Sequence, residues 1–249
     1  PAMAIHVGCC GFPVARRKYF ETFPAVEVQQ TFYQIPKLET ASKWRQEAPR
    51  GFTFAIKAWQ LITHEPTSPT YRRLKLELAE DKARRYGSFK PTDEVFKACE
   101  ETLRFAHELG AAFIVFQCPA SFAPAERNKT NMRRFFKGLK RREIPFVWEP
   151  RGEWRPEEIR ALCEELDLIH CVDPVAQSSL WGRVGYYRLH GPAGYGSRYE
   201  AEHLQKLLAA CRRVSYCFFN NRFMFQDALA FQRLAGNKQA SYCRGALNR

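Results

Sequence analysis

Short apolar runs recur along the chain, and each stops abruptly at a polar or charged residue or at a Cys, Gly or Pro turn. Eight can be read: IHVGCCG from Ile5, VEVQQTFY from Val26, FTFAIKA from Phe52, FIVFQCP from Phe113, FVWEPR from Phe146, IHCVDP from Ile169, YYRLHG from Tyr186 and YCFFNN from Tyr216. Near-continuous apolar stretches separated by helix-length segments predict strands of a parallel sheet buried on both faces. Polar residues gathered at their C-terminal ends are what the functional mouth of a β/α barrel requires, since each strand delivers one side chain there. The fold class expected is therefore α/β, a TIM-type (β/α) barrel of eight parallel strands (seven as the lower count), in one domain over residues 4–249.

The segments between the runs carry helix punctuation. Thr40 is placed to cap a short helix over 41–47 that ends before Pro49. The connection after Lys57 is the longest, and residues 60–92 form a candidate lid or insertion. It is expected to hold one helix over Tyr71–Tyr86, stopped by Gly87. A second helix begins at the cap Thr92 and ends near Gly110, with Asp93 and Glu94 suited to the helix dipole. Further helices are expected over Lys129–Arg141, Pro156–Leu166, Glu200–Arg212 and Phe225–Leu234, with Gly236 as the last stop.

Composition adds little about the fold but narrows the partners. No run of about 18 apolar residues exists to span a membrane. The first strand begins almost at once, so no signal peptide is expected, and Pro1-Ala2 before Met3 reads as a cloning remnant. The 9 cysteines show no CxxC pair or Cys/His ligand spacing, which points to reduced thiols in a cytoplasmic setting. Adjacent Cys9 and Cys10 read as small packing residues under a turn. The balance of 39 basic against 26 acidic residues leaves a formal charge of +13. That excess favours nucleic acid or another phosphorylated polyanion as partner, although a basic solvated surface explains it equally well.

Strand alternation sorts the polar residues. In YYRLHG, Arg188 and His190 share one face while Tyr187 and Leu189 share the other, which should meet the helices. The same parity turns Glu27, Lys57, Gln117, Glu149, Asp173 and Asn221 toward the mouth, with His64 and Arg151 just beyond their strand ends. Any one of these carboxylates has a plain reading as half of a buried ion pair. Gathered at one end of the barrel, the set reads as a site. Glu149, Asp173, His190 and Glu27 are the catalytic candidates. Lys57, His64, Gln117, Arg151, Arg188, Tyr199 and Asn221 are the substrate-binding candidates. No cofactor is certain; a divalent metal ion held by Glu149, Asp173 and His190 is the one these residues would allow. The stretch Gly191–Tyr199 after the seventh run has glycines that would let backbone N–H groups approach an anion, with Arg198 beside them.

The run VEVQQTFYQIP, then FTFAIKAWQLITH, FQCP, WEPR with EW, VDP, YYRLHG and FFNN with DA resembles the YecE-like proteins, domain-of-unknown-function family 72. The resemblance implies a TIM-barrel fold without an assigned activity. Its family-like positions here include Glu27, Lys57, His64, Gln117, Glu149, Arg151, Asp173, Arg188, His190, Tyr199, Asn220, Asn221 and Asp227. This chain departs from the family at Cys9-Cys10-Gly11-Phe12 and at Gln29-Gln30. The family's barrel is also similar to that of endonuclease IV and xylose isomerase.

Three functional readings follow. The leading one is phosphodiester hydrolysis on nucleic acid, nuclease- or repair-like. In it the cations clamp a phosphate, Glu149 or Asp173 activates water, and His190 protonates the leaving oxygen. Tyr33, Trp59 and Tyr199 would be available to stack on an unpaired base. The second is a sugar or sugar-phosphate enzyme using Glu27 and Glu149 as a carboxylate pair. The third is a nucleic-acid-binding protein without catalysis.

Overall fold

A computed structural model describes residues 3–141 and 143–246, with side chains through residue 236. Eight strands form a closed barrel in chain order: β1 (Ala4–Cys10), β2 (Ala25–Val28), β3 (Thr53–Lys57), β4 (Phe113–Gln117), β5 (Phe146–Glu149), β6 (Leu168–Val172), β7 (Gly185–Leu189) and β8 (Val214–Phe219). Every neighbouring pair is parallel, and β8 closes on β1 from Ala4 opposite Val214 to Cys9 opposite Phe219. This is the TIM barrel expected from the sequence.

The alternation divides the core in two. Ala25, Ala55, Phe113, Val115, Val147, Ile169, Cys171, Tyr186 and Phe218 fill the barrel interior. Val26, Phe54, Ile56, Phe116, Trp148, Val172, Tyr187 and Leu189 face the surrounding helices. Inward residues are small on β2 and β3 and bulky on β4, β7 and β8, a taper that leaves room for one long side chain near the axis.

Several helices depart from expectation. Residues 71–86 do not form one helix; the segment has a 3-10 turn over Pro69–Arg73 and a single α-turn over Glu80–Ala83. Leu74, Leu76 and Leu78 alternate with a period of two, which gives a helix no apolar stripe, and Leu76 is left exposed. Helix Leu38–Glu47 starts before Thr40, with Lys37 at its cap. The last helix runs from Met224 to Ala246, straight through Gly236. A mid-helix glycine costs only about 1 kcal/mol, less than the helix formers around it supply. Helices Arg16–Thr22 and Gln30–Tyr33 are short additions, the latter ending the second apolar run as a strand at Val28. Helix Asp93–Leu109 follows expectation: the Thr92 hydroxyl accepts from the Val95 amide, and Gly110 ends it in the left-handed conformation. Among the described residues, no helix is long and apolar enough to cross a membrane.

Candidate active site at the barrel mouth

Arg188 organises the mouth. It leaves β7 inward, is 1% exposed, and spans the barrel between two carboxylates on other strands. Its Nε donates to Glu27 Oε1 on β2 at 2.9 Å, and a terminal nitrogen donates to Glu149 Oε2 on β5 at 2.5 Å. Burial alone would lower its pKa, but Glu149 and Glu27 raise it well above the ordinary range. Burying a charge is costly unless its donors are met, and here Glu27 and Glu149 each accept one of its N–H groups.

Glu27 is fully enclosed. Oε2 accepts from the Tyr186 hydroxyl at 2.7 Å, while Oε1 accepts from Gln29 at 2.7 Å and from the Cys10 thiol at 3.5 Å as well as from Arg188. With no exposed surface and every oxygen engaged, Glu27 holds Arg188 from within the barrel. Of the catalytic candidates, Glu27 is thus placed behind Arg188, which stands between it and Glu149.

Glu149 looks both ways. One oxygen meets Arg188; the other accepts from His190 Nε2 at 2.9 Å and lies 3.5 Å from Arg151. Burial pushes its pKa up, but Arg188, His190 and Arg151 more than offset this and hold it well below the usual carboxylate range. The structure places Glu149 between the buried Arg188 and the rim, where one oxygen orients His190. His190 lies just beyond β7 with 30% of its side chain exposed, and an Asn220 amide nitrogen stands 3.3 Å from Nδ1. That contact leaves the ring proton on Nε2, facing Glu149. Arg151, 43% exposed on the rim, also lies 3.4 Å from His190 Nε2.

Asp173 lies beside this group but turns elsewhere. Its oxygens accept from the backbone amides of Val175 at 3.1 Å and His190 at 3.2 Å, and one lies 3.4 Å from the Tyr199 hydroxyl. Asp173 thus fixes the β7 end through the main chain. Among the described residues, no three His, Cys, Asp or Glu side chains converge as metal ligands, so Glu149, Asp173 and His190 are not assembled into the expected site.

Other candidates support the rim. Asn221 is fully buried, donating to Ser197 O and to Asp227 at 2.8 Å each, so it braces the loop after β7. Tyr199 is also buried; it donates its backbone N–H to Asp227 and accepts from Gly191 N at 2.8 Å. Trp59 is equally enclosed, and Arg73 lies over Tyr33 at 3.5 Å, so none of the three offers a bare face to a base. The glycine-rich loop is not an anion cradle. The amides of Gly191, Ala193, Gly194 and Ser197 are spent on Tyr199, Ser197, Gly191 and Gly194, and Arg198 pairs with Asp227 at 3.5 Å. Gln117 ends β4 with its amide donating to Cys118 O at 2.6 Å. His64 is buried, with Nδ1 2.7 Å from Thr63 Oγ1 and its ring edge-on to Phe32. Burial pushes the Cys9 thiol up to about 12, as befits a packing residue.

Sequence reasoning missed Tyr186 and undervalued Gln29, both of which complete the shell of Glu27. The alternation that turns Arg188 inward also turns Tyr186 inward, so the pattern already contained that residue.

With the barrel and its mouth in view, comparison with known proteins sets the lineage. The family described as protein of unknown function DUF72 matches residues 15–246. The chain belongs to this family. A curated relative, the UPF0759 protein YunF of Bacillus subtilis (strain 168), is 28% identical over 116 residues. That alignment takes in 46% of this chain and 35% of YunF, so the chain spans about a third of that relative's length. A solved DUF72 family protein from Enterococcus faecalis V583 superposes with a TM-score of 0.72 at 18% identity, covering 94% of this chain and 98% of that one. More distant barrels share the DUF72 fold. An AP endonuclease, family 2, from Brucella melitensis has a TM-score of 0.55 at 12% identity, covering 93% of this chain and 97% of its own. A D-psicose 3-epimerase from Clostridium cellulolyticum H10 has a TM-score of 0.55 at 9% identity, covering 90% and 93%. At such identities the likeness is one of fold alone.

Proposed function

We propose that this DUF72 protein acts on the phosphodiester backbone of nucleic acid, with His190 as the acid–base group at the barrel mouth. The observation that carries the reading is the sequence of contacts Arg188–Glu149–His190, which ends in a partly exposed imidazole beside the exposed guanidinium of Arg151. A buried carboxylate behind an imidazole fixes the tautomer and stabilises the imidazolium formed when the ring takes a proton. Arg151 stands where a phosphate entering the mouth would meet it, and its fixed charge would offset the negative charge developing on the phosphoryl oxygens. In this scheme substrate displaces the Asn220 amide from His190 Nδ1, and that nitrogen, with Nε2–H held by Glu149, removes a proton from the attacking water and returns one to the leaving oxygen. The +13 formal charge supports a polyanionic substrate, and the endonuclease among the distant barrels is compatible with it.

Labelled single- and double-stranded DNA and RNA, incubated with and without Mg²⁺, Mn²⁺ or Zn²⁺, test the reading. Cleavage is expected to fall by about 10²-fold or more in His190→Ala and to suffer comparably in Glu149→Gln. Cleavage that both variants leave intact would refute this role for the mouth.

A further inference from the structure

Lys57 is the mouth residue whose charge the network does not absorb. It ends β3, is 8% exposed, and points into the same space as Glu27 and Glu149. Among the described residues no carboxylate lies within ion-pair distance of it. Glu27 is engaged by Arg188, and Glu149 by Arg188, His190 and Arg151. Its ammonium instead sits 3.7 Å from the centre of the Phe32 ring. The main chain around it is firmly placed: the Thr31 hydroxyl donates to Lys57 O at 2.6 Å, and Ala58 N donates to Val115 O at 2.8 Å. The amine is therefore presented at a defined position and not on a mobile tether.

A desolvated amine without a counter-ion sheds its proton readily. Burial first, then Arg188, pushes the Lys57 pKa down to about 7; Glu149 and Glu27 pull it back up, and Arg151 lowers it again. The adjacent His64 is held neutral, its pKa pushed down to about 3 by burial and then by Lys57 and Arg151. Near neutral pH a large fraction of the protein thus carries an unprotonated amine at the floor of the mouth. That state is what nucleophilic lysines require.

We infer that Lys57 is a covalent nucleophile which forms an imine with the carbonyl carbon of a ring-opened, phosphorylated sugar. This rests on the reading above only in taking the mouth as the entrance for such a sugar; hydrolysis by His190 is not needed. The Nζ lone pair forms a C–N bond to the carbonyl carbon while the C=O π pair moves to oxygen; the oxygen takes up a proton and the nitrogen gives one up to solvent, leaving a neutral carbinolamine with a lone pair on nitrogen. The hydroxyl, protonated by one further proton from solvent, leaves as water, and nitrogen supplies the second C–N bond. The resulting iminium is cationic and lies against the Phe32 face, which stabilises it without hydrating it. Arg151 at the rim takes the phosphate. Hydrolysis of the iminium regenerates the amine.

Borohydride, a hydride donor that reduces an imine irreversibly, provides the test. The full-length protein is incubated in separate arms with ribose 5-phosphate and with an oligonucleotide carrying an abasic deoxyribose, each with borohydride. Adducts are then mapped by peptide mass spectrometry. A stoichiometric adduct at Lys57 is expected in one arm, and that arm identifies the source of the sugar as a free metabolite or a nucleic acid. Lys57→Met, with its fold verified by circular dichroism, is expected to lose the adduct entirely. Trapping that is absent in both arms, or that falls on surface lysines and persists in Lys57→Met, overturns the proposal. Because mapping on the unaltered protein needs no strand cleavage, failure here is distinct from failure of the nuclease assay.

Discussion

Two long basic side chains reach into the same barrel and meet opposite electrostatic fates. Arg188 has a carboxylate on each side, and its charge is locked in place. Lys57 has an aromatic face and cationic neighbours, and its charge is expensive. The sign of the effect on stability follows from linkage. Between its depressed value of about 7 and its ordinary 10.5, the Lys57 proton is bound by the unfolded chain and not by the folded one. Stability should therefore rise as pH is raised through that window, and below it the folded protein should bear the full penalty. Lys57→Met, which keeps the length and removes the amine, is expected to stabilise the protein at pH 7 by on the order of 3 kcal/mol. Urea denaturation of both proteins at pH 7 and at pH 10 measures this; the gain should shrink at the higher pH. A variant that is less stable at pH 7 would show that the amine is paired in solution. At this scale the alternation identified which side chains turn inward, including Glu27, Lys57, Glu149 and Arg188. It did not tell the two carboxylates apart, because their difference lies in neighbours from other strands: Tyr186 and Gln29 close over Glu27, while His190 opens Glu149 to the rim.

The segment between β3 and helix Asp93–Leu109 carries a second lesson. Its two ends are tied together by backbone bonds from Gly87 N to Leu61 O at 2.8 Å and from Phe89 N to Ile62 O at 2.9 Å. Gly87 adopts φ +82°, and a Cβ there would lie 2.4 Å from the His64 carbonyl oxygen. The glycine is thus required twice, by its conformation and by the approach of the chain that carries His64. Gly87→Ala is expected to destabilise by more than about 1 kcal/mol, with displacement of His64. Thermal unfolding, together with the chemical shift of the His64 imidazole, checks both parts; an unchanged midpoint and shift would show that the loop absorbs the methyl group. Sequence assigned 71–86 to a helix stopped by Gly87; that helix does not form, and Gly87 instead sits in a bend well past the single turn that ends at Ala83. What decides that stretch is the docking of Leu74 and Leu78 onto the core while Leu76 stays outside, a choice made by the surface beneath it.

For the whole molecule, the excess of positive charge acts through the field it creates and says nothing about the fold. Many of the surface arginines and lysines are already paired: Arg16 with Glu47, Arg85 with Glu94, Lys129 with Glu158, and Arg133 and Lys137 with Glu165. Pairs on the surface, screened by solvent, add little to stability. If the protein engages nucleic acid, several phosphates must be neutralised, and affinity should fall by orders of magnitude between about 50 and 200 mM salt. Fluorescence anisotropy with a labelled oligonucleotide across that range measures the slope. A flat profile would mean that the surplus is a solvated surface, and would favour a small sugar phosphate as the ligand.

The amino-acid sequence by itself determined the barrel and the inward turn of Glu27, Lys57, Glu149 and Arg188, because apolar runs and a two-residue side-chain period are local properties that survive without knowledge of partners. It also marked the caps of helix Asp93–Leu109, where one hydroxyl and one glycine suffice. Only the tertiary structure decided which charges cancel. Glu27 and Arg188 are 161 positions apart in the chain and touch because the ring closes. The same closure leaves Lys57 without a carboxylate and turns Asp173 to the backbone of His190. Charge, burial and pKa are sums over neighbours from every strand, and a linear sequence does not contain that sum.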